Sequence, residues 1–468
     1  MIIDNTGLDK AKAATTSLDL GADGELKATL TVINANVRVM AARLAEAVFT
    51  DSTVTLDVDA VAVLRASDSH FTQARDIEIG ELSLSGGGWS QAGFALDAKR
   101  YEFVGSLLDM SGAFGGAQTD LVVEGFTVAL HRSATWKKVR VLSGGVITTP
   151  LASEDFTQAI AIKADEIEVD ASSRIDVSGK GRLGTLVIGP YTGGSHGGTG
   201  GLYQSGPTNT PYGDFREPWD FGSGGRGSSN NFTRGGGALV LETPLLRLGG
   251  LIQANGQYQG NYYGSGSGGS ILLRVGTLEL GAEALIQANG GGDTGYYSYG
   301  GGGGGRIAVH FQQVDRAALV QRVQARGGYG RNAQHGSAGT VYLNDLSSGQ
   351  AELIIDNTGL EKAKAATTLL DLGADGELTA TLTVINANVR VMATRLAEAV
   401  FTDSTVTLDV DAVAVLRASG SHFTQARDIE VGELSLNGGG WNQAGFALNA
   451  ERYDFVDRGL AAGASGCG

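Results

Sequence analysis

The residues best suited to acid–base chemistry lie in one long glycine-rich segment, about Gly189 to Gly236, called the insertion below. It holds three neighbouring carboxylates, Asp214, Glu217 and Asp220. Further charged side chains lie just upstream, at Asp170, Asp176, Lys180 and Arg182. Enzymes that cleave polysaccharides need carboxylates and a basic group on one face, with acid and base roles separated by environment. The spacing here does not exceed chance, so we predict no enzymatic activity and keep a polysaccharide lyase or hydrolase as the alternative.

Aromatic residues of the insertion favour recognition over catalysis. Long loops on a rigid scaffold often carry binding sites, and this one contains Tyr212, Phe215 and Trp219. We predict that these three residues bind a ligand or another subunit. A self-packed loop that shields one side of the fold is the alternative interpretation.

Tyrosines also recur in three successive glycine-rich loops. They are Tyr258, Tyr262 and Tyr263, then Tyr296, Tyr297 and Tyr299, then Tyr329. If the loops stack in register, the rings gather along one edge, where they can contact sugar rings or a neighbouring molecule. Rings that cover the glycine loops of their own chain are the alternative.

Metal and cofactor signals are weak. His310 and His335 have no partner at the spacing of metal ligands, and the repeated calcium nonapeptide is absent. There is no phosphate loop and no second cysteine beside Cys467. We therefore predict no cofactor, with calcium left open because the chain is acidic.

Net charge and hydropathy limit the classes of partner that we expect. The formal charge of −15 repels phosphate backbones, so nucleic acid is not expected as a partner. No apolar run reaches the ~18 residues of a membrane span, so no membrane insertion is expected. No charged-then-apolar leader follows Met1, so we expect any export signal to lie elsewhere. An acidic surface suits an extracellular or cell-surface protein.

Glycine dominates the composition, with 73 residues against 6 prolines. Collagen needs glycine at every third position and much proline, and it is excluded. The glycines instead separate short runs of Val, Ile, Leu and Thr, which is typical of strands joined by turns. Glycine is expected at bends that need a positive φ or a close backbone approach, and the longer runs are expected to form extended, closely packed segments.

A long internal duplication sets the organisation. Residues 2–104 recur as 354–456, and 11 of the 103 aligned pairs differ, which leaves 92 identities. Such similarity indicates duplication of a 352-residue unit within a longer array. The brief strands of this block are predicted to alternate inward Val and Leu with outward Thr, Asp and Arg. The segment Val39–Phe49 fits a strand better than a helix, although its Ala, Leu and Met content keeps a helix open.

A shorter repeat of 32 to 37 residues lies between the two copies. Its phrase occurs at Ile252–Gly256, Ile286–Gly290 and Val323–Gly327, with an earlier copy at Ile175–Gly179. New strands open at Ala238, Ser270, Arg306 and Thr340. Each repeat therefore predicts three short strands and a glycine-rich loop, and repeats stack because one alone cannot bury its apolar face.

The predicted fold is all-β, a parallel β-helix or β-solenoid with glycine-rich corner loops and one long insertion. The predicted divisions are 1–104, a first solenoid block; 105–159, connecting strands; 160–353, the glycine-rich solenoid with its insertion at about 189–236; 354–456, a second block; and 457–468, a flexible tail.

The phrase Ile-Gln-Ala-Asn-Gly, with Gly268-Gly269-Ser270-Ile271 and the run Gly301–Gly305, resembles the glycine-rich β-solenoid repeats of very large bacterial surface and adhesin-like proteins. The resemblance covers roughly residues 160–350 and implies a cell-surface context. We therefore predict a structural or adhesive rod or fibre that self-associates end to end, with surface glycans as the other candidate partner. A polysaccharide-binding or polysaccharide-cleaving β-helix protein is the alternative.

Overall fold

The computed structural model describes residues 1–456 except 22, 105–106, 111–118, 155, 188, 204–205, 229–230, 259, 261, 293–298, 332 and 374–375. In this part the chain is all-β. The first block contains β1 (Ile2–Asp4), β2 (Thr16–Asp19), β3 (Glu25–Ile33), β4 (Asn36–Thr50), β5 (Thr53–Ser67), β6 (His70–Gln73), β7 (Ile77–Ser85), β8 (Gly88–Ser90) and β9 (Leu96–Val104).

The middle of the chain contains β10 (Leu107–Met110), β11 (Asp120–Glu124), β12 (Thr127–Leu130), β13 (Ala134–Leu142), β14 (Val146–Thr148), β15 (Ile160–Val169), β16 (Arg174–Asp176), β17 (Ala238–Leu248), β18 (Leu251–Gln253), β19 (Ser270–Leu280), β20 (Leu285–Gln287), β21 (Arg306–Val314), α1 (Arg316–Arg322), β22 (Val323–Gln324) and β23 (Thr340–Asp345). The second block contains β24 (Ala351–Asp356), β25 (Thr367–Asp371), β26 (Glu377–Ile385), β27 (Asn388–Thr402), β28 (Thr405–Ser419), β29 (His422–Gln425), β30 (Ile429–Asn437), β31 (Gly440–Asn442) and β32 (Leu448–Val456). Single 3-10 turns lie at Lys10–Lys12, Gly184–Leu186 and Lys362–Lys364.

Parallel pairing joins nearly all of these strands into two series. One runs from β4 through β5, β7, β9 and onward to β23, and the other runs from β6 through β8 and β10 to β22. The second block repeats this arrangement. The predicted class, all-β with parallel strands, is confirmed.

The pairing register confirms the spacing of the short repeat. Ala238 lies opposite Ser270, Ser270 opposite Arg306, and Arg306 opposite Thr340. The Ile252 phrase likewise pairs with the earlier copy at Ile175. Repeats that are similar in sequence are therefore neighbours in space.

The strands are longer and fewer per repeat than the sequence predicts. The predicted first and second strands of one repeat form a single strand, β19, and Val39–Phe49 lies wholly within β4. In the last repeat, α1 follows β21 directly, capped by the Asp315 side chain, which accepts a hydrogen bond from the Ala318 amide. The prediction of three strands per repeat is wrong because the chain passes from the first strand to the second without a turn.

Buried apolar and exposed polar side chains alternate along the strands, which places the apolar ones in the core. In β4, Val37 and Val39 are buried while Arg38 is exposed. The four strands β17, β19, β21 and β23 differ, because the first four residues of each are buried on both faces. Both faces of this sheet are therefore covered.

Glycine segments of the insertion and of the three loops hydrogen-bond to one another through their backbones. Gly302 donates to the Gly291 carbonyl at 2.9 Å and accepts from the Gly328 amide at 2.7 Å. Gly303 donates to Gly194 of the insertion at 2.9 Å. A Cβ at Gly302 would lie 1.9 Å from the Gly266 carbonyl oxygen, although the φ of Gly302 is ordinary. Close approach, rather than a positive φ, thus requires glycine here. We call this packed set of segments the glycine lattice.

The second block joins the first unit through one antiparallel pair, β23 with β24, in which Tyr342 lies opposite Leu353. Ile354 packs into the core of the first unit, whereas its neighbours Leu353 and Ile355 belong to the core of the second block. The hairpin reverses the strand direction, and the second core lies on the opposite face of the sheet.

Candidate functional site

The insertion packs over the outer face of β17, β19, β21 and β23. Phe215, predicted to bind, is 7% exposed, and its ring lies edge-on to Tyr342 at 5.6 Å. It shares an apolar cluster with Val240, Leu272 and Ala308. The hydroxyl of Tyr212 donates to the Phe221 carbonyl at 2.6 Å, and burial raises the pKa of this phenol. These two aromatics therefore lie where the shielding-loop interpretation expects them.

Two basic side chains, Arg306 of β21 and His196 of the insertion itself, are buried where the insertion packs on the sheet. Arg306 donates to the Tyr212 carbonyl at 2.8 Å and to the Thr340 hydroxyl at 3.1 Å. Burial lowers the pKa of its guanidinium to about 10, partly offset by the charges of Asp214 and Asp220, so it stays protonated at neutral pH.

His196 is fully buried nearby, with its Nδ1 3.0 Å from the Gly268 carbonyl and its ring 4.8 Å from that of Tyr212. Burial, reinforced by the charge of Arg306, lowers the pKa of this imidazole to about 3. A neutral ring must therefore donate from Nδ1 to the carbonyl. His196 Nε2 has no hydrogen-bond partner among the described residues.

A row of polar side chains crosses the sheet, with one member on each of five neighbouring strands. In order they are Lys163, Glu242, Arg274, His310 and Asn344, and each lies opposite the next in the register. Glu242 joins its two neighbours, at 2.6 Å from Lys163 and 2.5 Å from Arg274. At the other end, His310 Nδ1 lies 2.9 Å from the Asn344 amide nitrogen. We call these five residues the polar row.

The insertion adds a carboxylate and an indole to the polar row. Glu217 pairs with Arg274 at 2.5 Å and lies 3.5 Å from His310, whose Nε2 is 2.9 Å from the Arg216 carbonyl. Trp219 remains 48% exposed, and the Arg274 guanidinium lies 5.7 Å from its ring centroid. Trp219 is thus the predicted insertion aromatic that faces solvent.

A surface groove of about 500 Å³ follows the polar row. Its lining comprises Glu217, Thr243, Pro244, Arg274, Val275, Gly276, His310, Gln312 and Leu346. Apolar walls with a few charged groups are typical of sites for small or extended ligands. An exposed indole at such a place can stack on a sugar ring.

The remaining acid–base candidates do not join this groove. Asp170 accepts hydrogen bonds from the Ser172 amide of its own turn and from the Ser143 amide after β13, and Asp176 accepts from the Ser178 amide. Asp214 likewise accepts from the Arg216 amide at 2.6 Å. Glu217 is the one predicted carboxylate in the groove, and it is bound to Arg274, so a pair of separated acid and base carboxylates is not formed among these candidates.

Two of the predicted loop tyrosines meet, and two tyrosines of the insertion join them. Tyr299 stacks on Tyr191 at 4.7 Å and lies edge-on to Tyr203 at 4.9 Å, with Tyr262 6.0 Å away. Tyr262 is 47% exposed. Tyr191 and Tyr203 are not among the predicted binding residues, although their glycine-rich surroundings resemble those of the loop tyrosines.

Of the other loop tyrosines, three lie among the described residues. Tyr329 stacks on His335 at 4.7 Å, and Tyr263 forms an isolated bridge with Gly227. Tyr258 is half-buried. Tyr296 and Tyr297 lie outside the described residues, so their predicted contacts stay predictions.

In the described part of the chain, no three His, Cys, Asp or Glu side chains gather as a metal site. Calcium binding stays a prediction. Over the same residues, no helix has the length and apolar character to cross a bilayer.

Comparison of the chain with protein-family models, with curated proteins and with solved structures finds no match in any of the three.

Proposed function

We propose that this protein is an extracellular structural or adhesive repeat protein whose parallel β-solenoid forms a rod at the cell surface or in the matrix. The observation that carries the proposal is the junction between the repeated units. Strand β24 of the second copy hydrogen-bonds to β23 on one side and to β26 on the other. Each further copy of the unit therefore lengthens one hydrogen-bonded body.

The glycine lattice supports a mechanical role. Its segments pair backbone to backbone, with hydrogen bonds of 2.7 to 2.9 Å such as Gly328 to Gly302 and Gly303 to Gly194. Backbone packing without side chains leaves little freedom for the loops to move. The lattice holds the insertion against the sheet and stiffens the unit along its length.

The surface location rests on composition and on the resemblance to glycine-rich repeats of bacterial surface proteins. A net charge of −15 disfavours binding to nucleic acid and to anionic lipid. Near-identical long repeats add length and valency more readily than they add active sites.

Electron cryo-microscopy of the full chain tests the rod. We expect elongated particles with strands spaced by ~4.8 Å along the long axis. Filaments of abutting rods favour a structural fibre, and separate rods that bind a glycan-coated surface favour an adhesin. Compact particles without the strand spacing contradict the proposal.

A second candidate function is polysaccharide binding or cleavage in the groove beside the polar row. The specific observation in its favour is the exposed Trp219 beside Arg274 and Glu217. Trp219→Ala is expected to abolish retention on a glycan panel, while Leu151→Ala, which removes an equally exposed apolar residue (48%), leaves it unchanged. If the protein cleaves glycans in this groove, Glu217→Ala, which removes the carboxylate that lines it, abolishes turnover. No binding and no turnover by the unaltered protein across a broad panel excludes this candidate.

A further inference from the structure

The two copies of the duplicated block begin with the same residues in different surroundings. Ile354 and Ile355 are 7% and 0% exposed, whereas Ile2, the equivalent of Ile354, is 72% exposed. Thr368 is fully buried, and its equivalent Thr16 is exposed. One sequence thus forms a buried interface in the second copy and an open surface in the first.

The second copy is buried by the last repeat of the glycine-rich unit. The Asn357 side chain accepts from the Gly327 amide at 2.9 Å and donates to the Gly336 carbonyl at 3.3 Å. The Thr368 hydroxyl donates to the Ala338 carbonyl at 2.7 Å. We call the segment that provides these partners, residues 326–331 and 333–345, the glycine end.

His335 of the glycine end extends the interface as a short piece of parallel pairing. Its amide donates to the Lys364 carbonyl at 2.9 Å, and its carbonyl accepts from the Ala366 amide at 2.9 Å. Specific hydrogen bonds therefore fix the register of the second copy on the glycine end, in addition to the apolar contact of β24.

The open surface of the first copy already has the shape that the interface needs. Asn34 donates to the carbonyls of Asn5 and Leu8 at 2.9 and 3.1 Å. Asn386 holds the equivalent carbonyls of Asn357 and Leu360 at 3.0 Å each. The loop is held by its own block in both copies, so binding does not require it to reorganise.

The open strand edges match as well. Strand β1 pairs on one side with β3, whereas its equivalent β24 pairs with both β26 and β23. An unpaired edge beside exposed apolar residues is a template for another strand. Residues 2–8 and 354–360 are identical, and residues 354–360 lie against the glycine end. The glycine end is therefore the partner that fits the open surface of the first copy.

We propose that the surface formed by residues 2–18 of the first copy, the head surface, binds the glycine end of a second copy of this chain. The inference rests on the proposed function, since it supplies the joint between consecutive rods. Within one molecule the glycine end is occupied by that molecule's own second copy. Joining two molecules is therefore an exchange of near-identical blocks, as in domain swapping.

The test releases the second copy from the glycine end of the full chain and measures whether another molecule then binds there. Thr368→Asp places a carboxylate against the Ala338 carbonyl in a buried position, which should release the second copy. We expect this variant to at least double its mass as concentration rises, measured by sedimentation or light scattering. Thr16→Asp makes the same change at an exposed site and should leave the mass unchanged. The double variant Thr16→Asp/Thr368→Asp should remain monomeric, because the head surface is then also blocked.

Two results overturn the inference: a Thr368→Asp chain that stays monomeric, or a double variant that associates as Thr368→Asp does, which indicates non-specific aggregation. If Thr368→Asp is not recovered as folded protein, the milder Asn357→Ala opens the same interface, with Asn5→Ala as its matched partner and the same expectations. Rod shape and strand spacing are measured on the monomer. Monomeric variants with intact rods therefore reject the joint without rejecting the proposed function.

Discussion

Tyr101 and Tyr453 occupy the same position of the duplicated block, but Tyr101 is fully buried whereas Tyr453 is 47% exposed. Each hydroxyl accepts from the amide three residues earlier, at 2.8 and 3.0 Å. The difference comes from the next strands along the chain, where the Trp136 ring lies edge-on to Tyr101 at 5.6 Å. Burial at this position thus depends on the neighbouring repeat rather than on the block itself.

Replacing these two tyrosines should separate packing within the block from packing between repeats. Tyr101→Ala removes a buried ring beside Trp136 and should lower the free energy of unfolding by about 3–5 kcal/mol. Tyr453→Ala keeps the local sequence context but removes a half-exposed ring, and we expect less than about 1.5 kcal/mol. Urea titration of both variants measures the difference, and equal losses would contradict it.

Glycine in the lattice should be irreplaceable even by alanine. A Cβ at Gly302 meets the Gly266 carbonyl oxygen at 1.9 Å, and that oxygen belongs to a backbone held by its own hydrogen bonds. Gly302→Ala should therefore destabilise the protein by at least about 2 kcal/mol. Gly440→Ala is the control, because its Cβ would meet only the flexible end of His422, at 3.4 Å. Thermal unfolding that is unchanged in Gly302→Ala would show that the lattice can relax.

The repeat spacing made part of this arrangement predictable. Glu242, Arg274, His310 and Asn344 each lie four residues after the opening of a repeat, so alignment of the repeats already places them side by side. His310 has no partner at metal-ligand spacing, and its partner is instead Asn344, the residue at the equivalent position of the next repeat. Charge complementarity along the repeat was the signal that was missed.

Other features had no signal in a single sequence. Glu217 lies in the insertion, 57 residues before Arg274, to which it is hydrogen-bonded. The insertion has no counterpart in the other repeats, so alignment of the repeats does not predict this contact. The reversal between β23 and β24 depends on a turn in which Asp345 accepts from the Ser347 amide at 2.8 Å. Turn residues there predict a bend, but they do not tell whether the next strand pairs in parallel or antiparallel fashion. The direction of this strand pairing also determines on which face of the sheet the core of the second block lies.

The buried His196 should make stability depend on pH in a defined range. Its pKa is about 3 in the folded protein against an ordinary value of 6.5, so the folded state favours the neutral ring. The stabilisation is complete above pH 6.5 and is lost as the pH falls toward 3, by up to about 1.4 kcal/mol per pH unit. His196→Gln, which keeps a donor for the Gly268 carbonyl, should flatten the pH dependence of the unfolding free energy between pH 6.5 and 4. His70→Gln makes the same substitution at an exposed position and should leave the free energy of unfolding at pH 7 unchanged. A slope that survives in His196→Gln would assign the effect to other groups.

The polar row should contribute stability that acid removes. A hydrogen bond from Lys163, aided by Arg274, lowers the pKa of the Glu242 carboxyl from its ordinary 4.5. The carboxylate therefore stabilises the fold above pH 4.5, and this contribution is lost as the pH falls through the lowered value. Glu242→Gln should reduce the free energy of unfolding by about 0.5–1 kcal/mol at pH 7, and the deficit should shrink as the medium is made more acidic than the lowered pKa. Glu283→Gln, on the exposed turn after β19, serves as the control and should unfold at the same urea concentration as the unaltered protein at pH 7. Urea titrations across this range decide the matter, because a deficit for Glu242→Gln that is independent of pH would mean that the side chain acts by packing and not by charge.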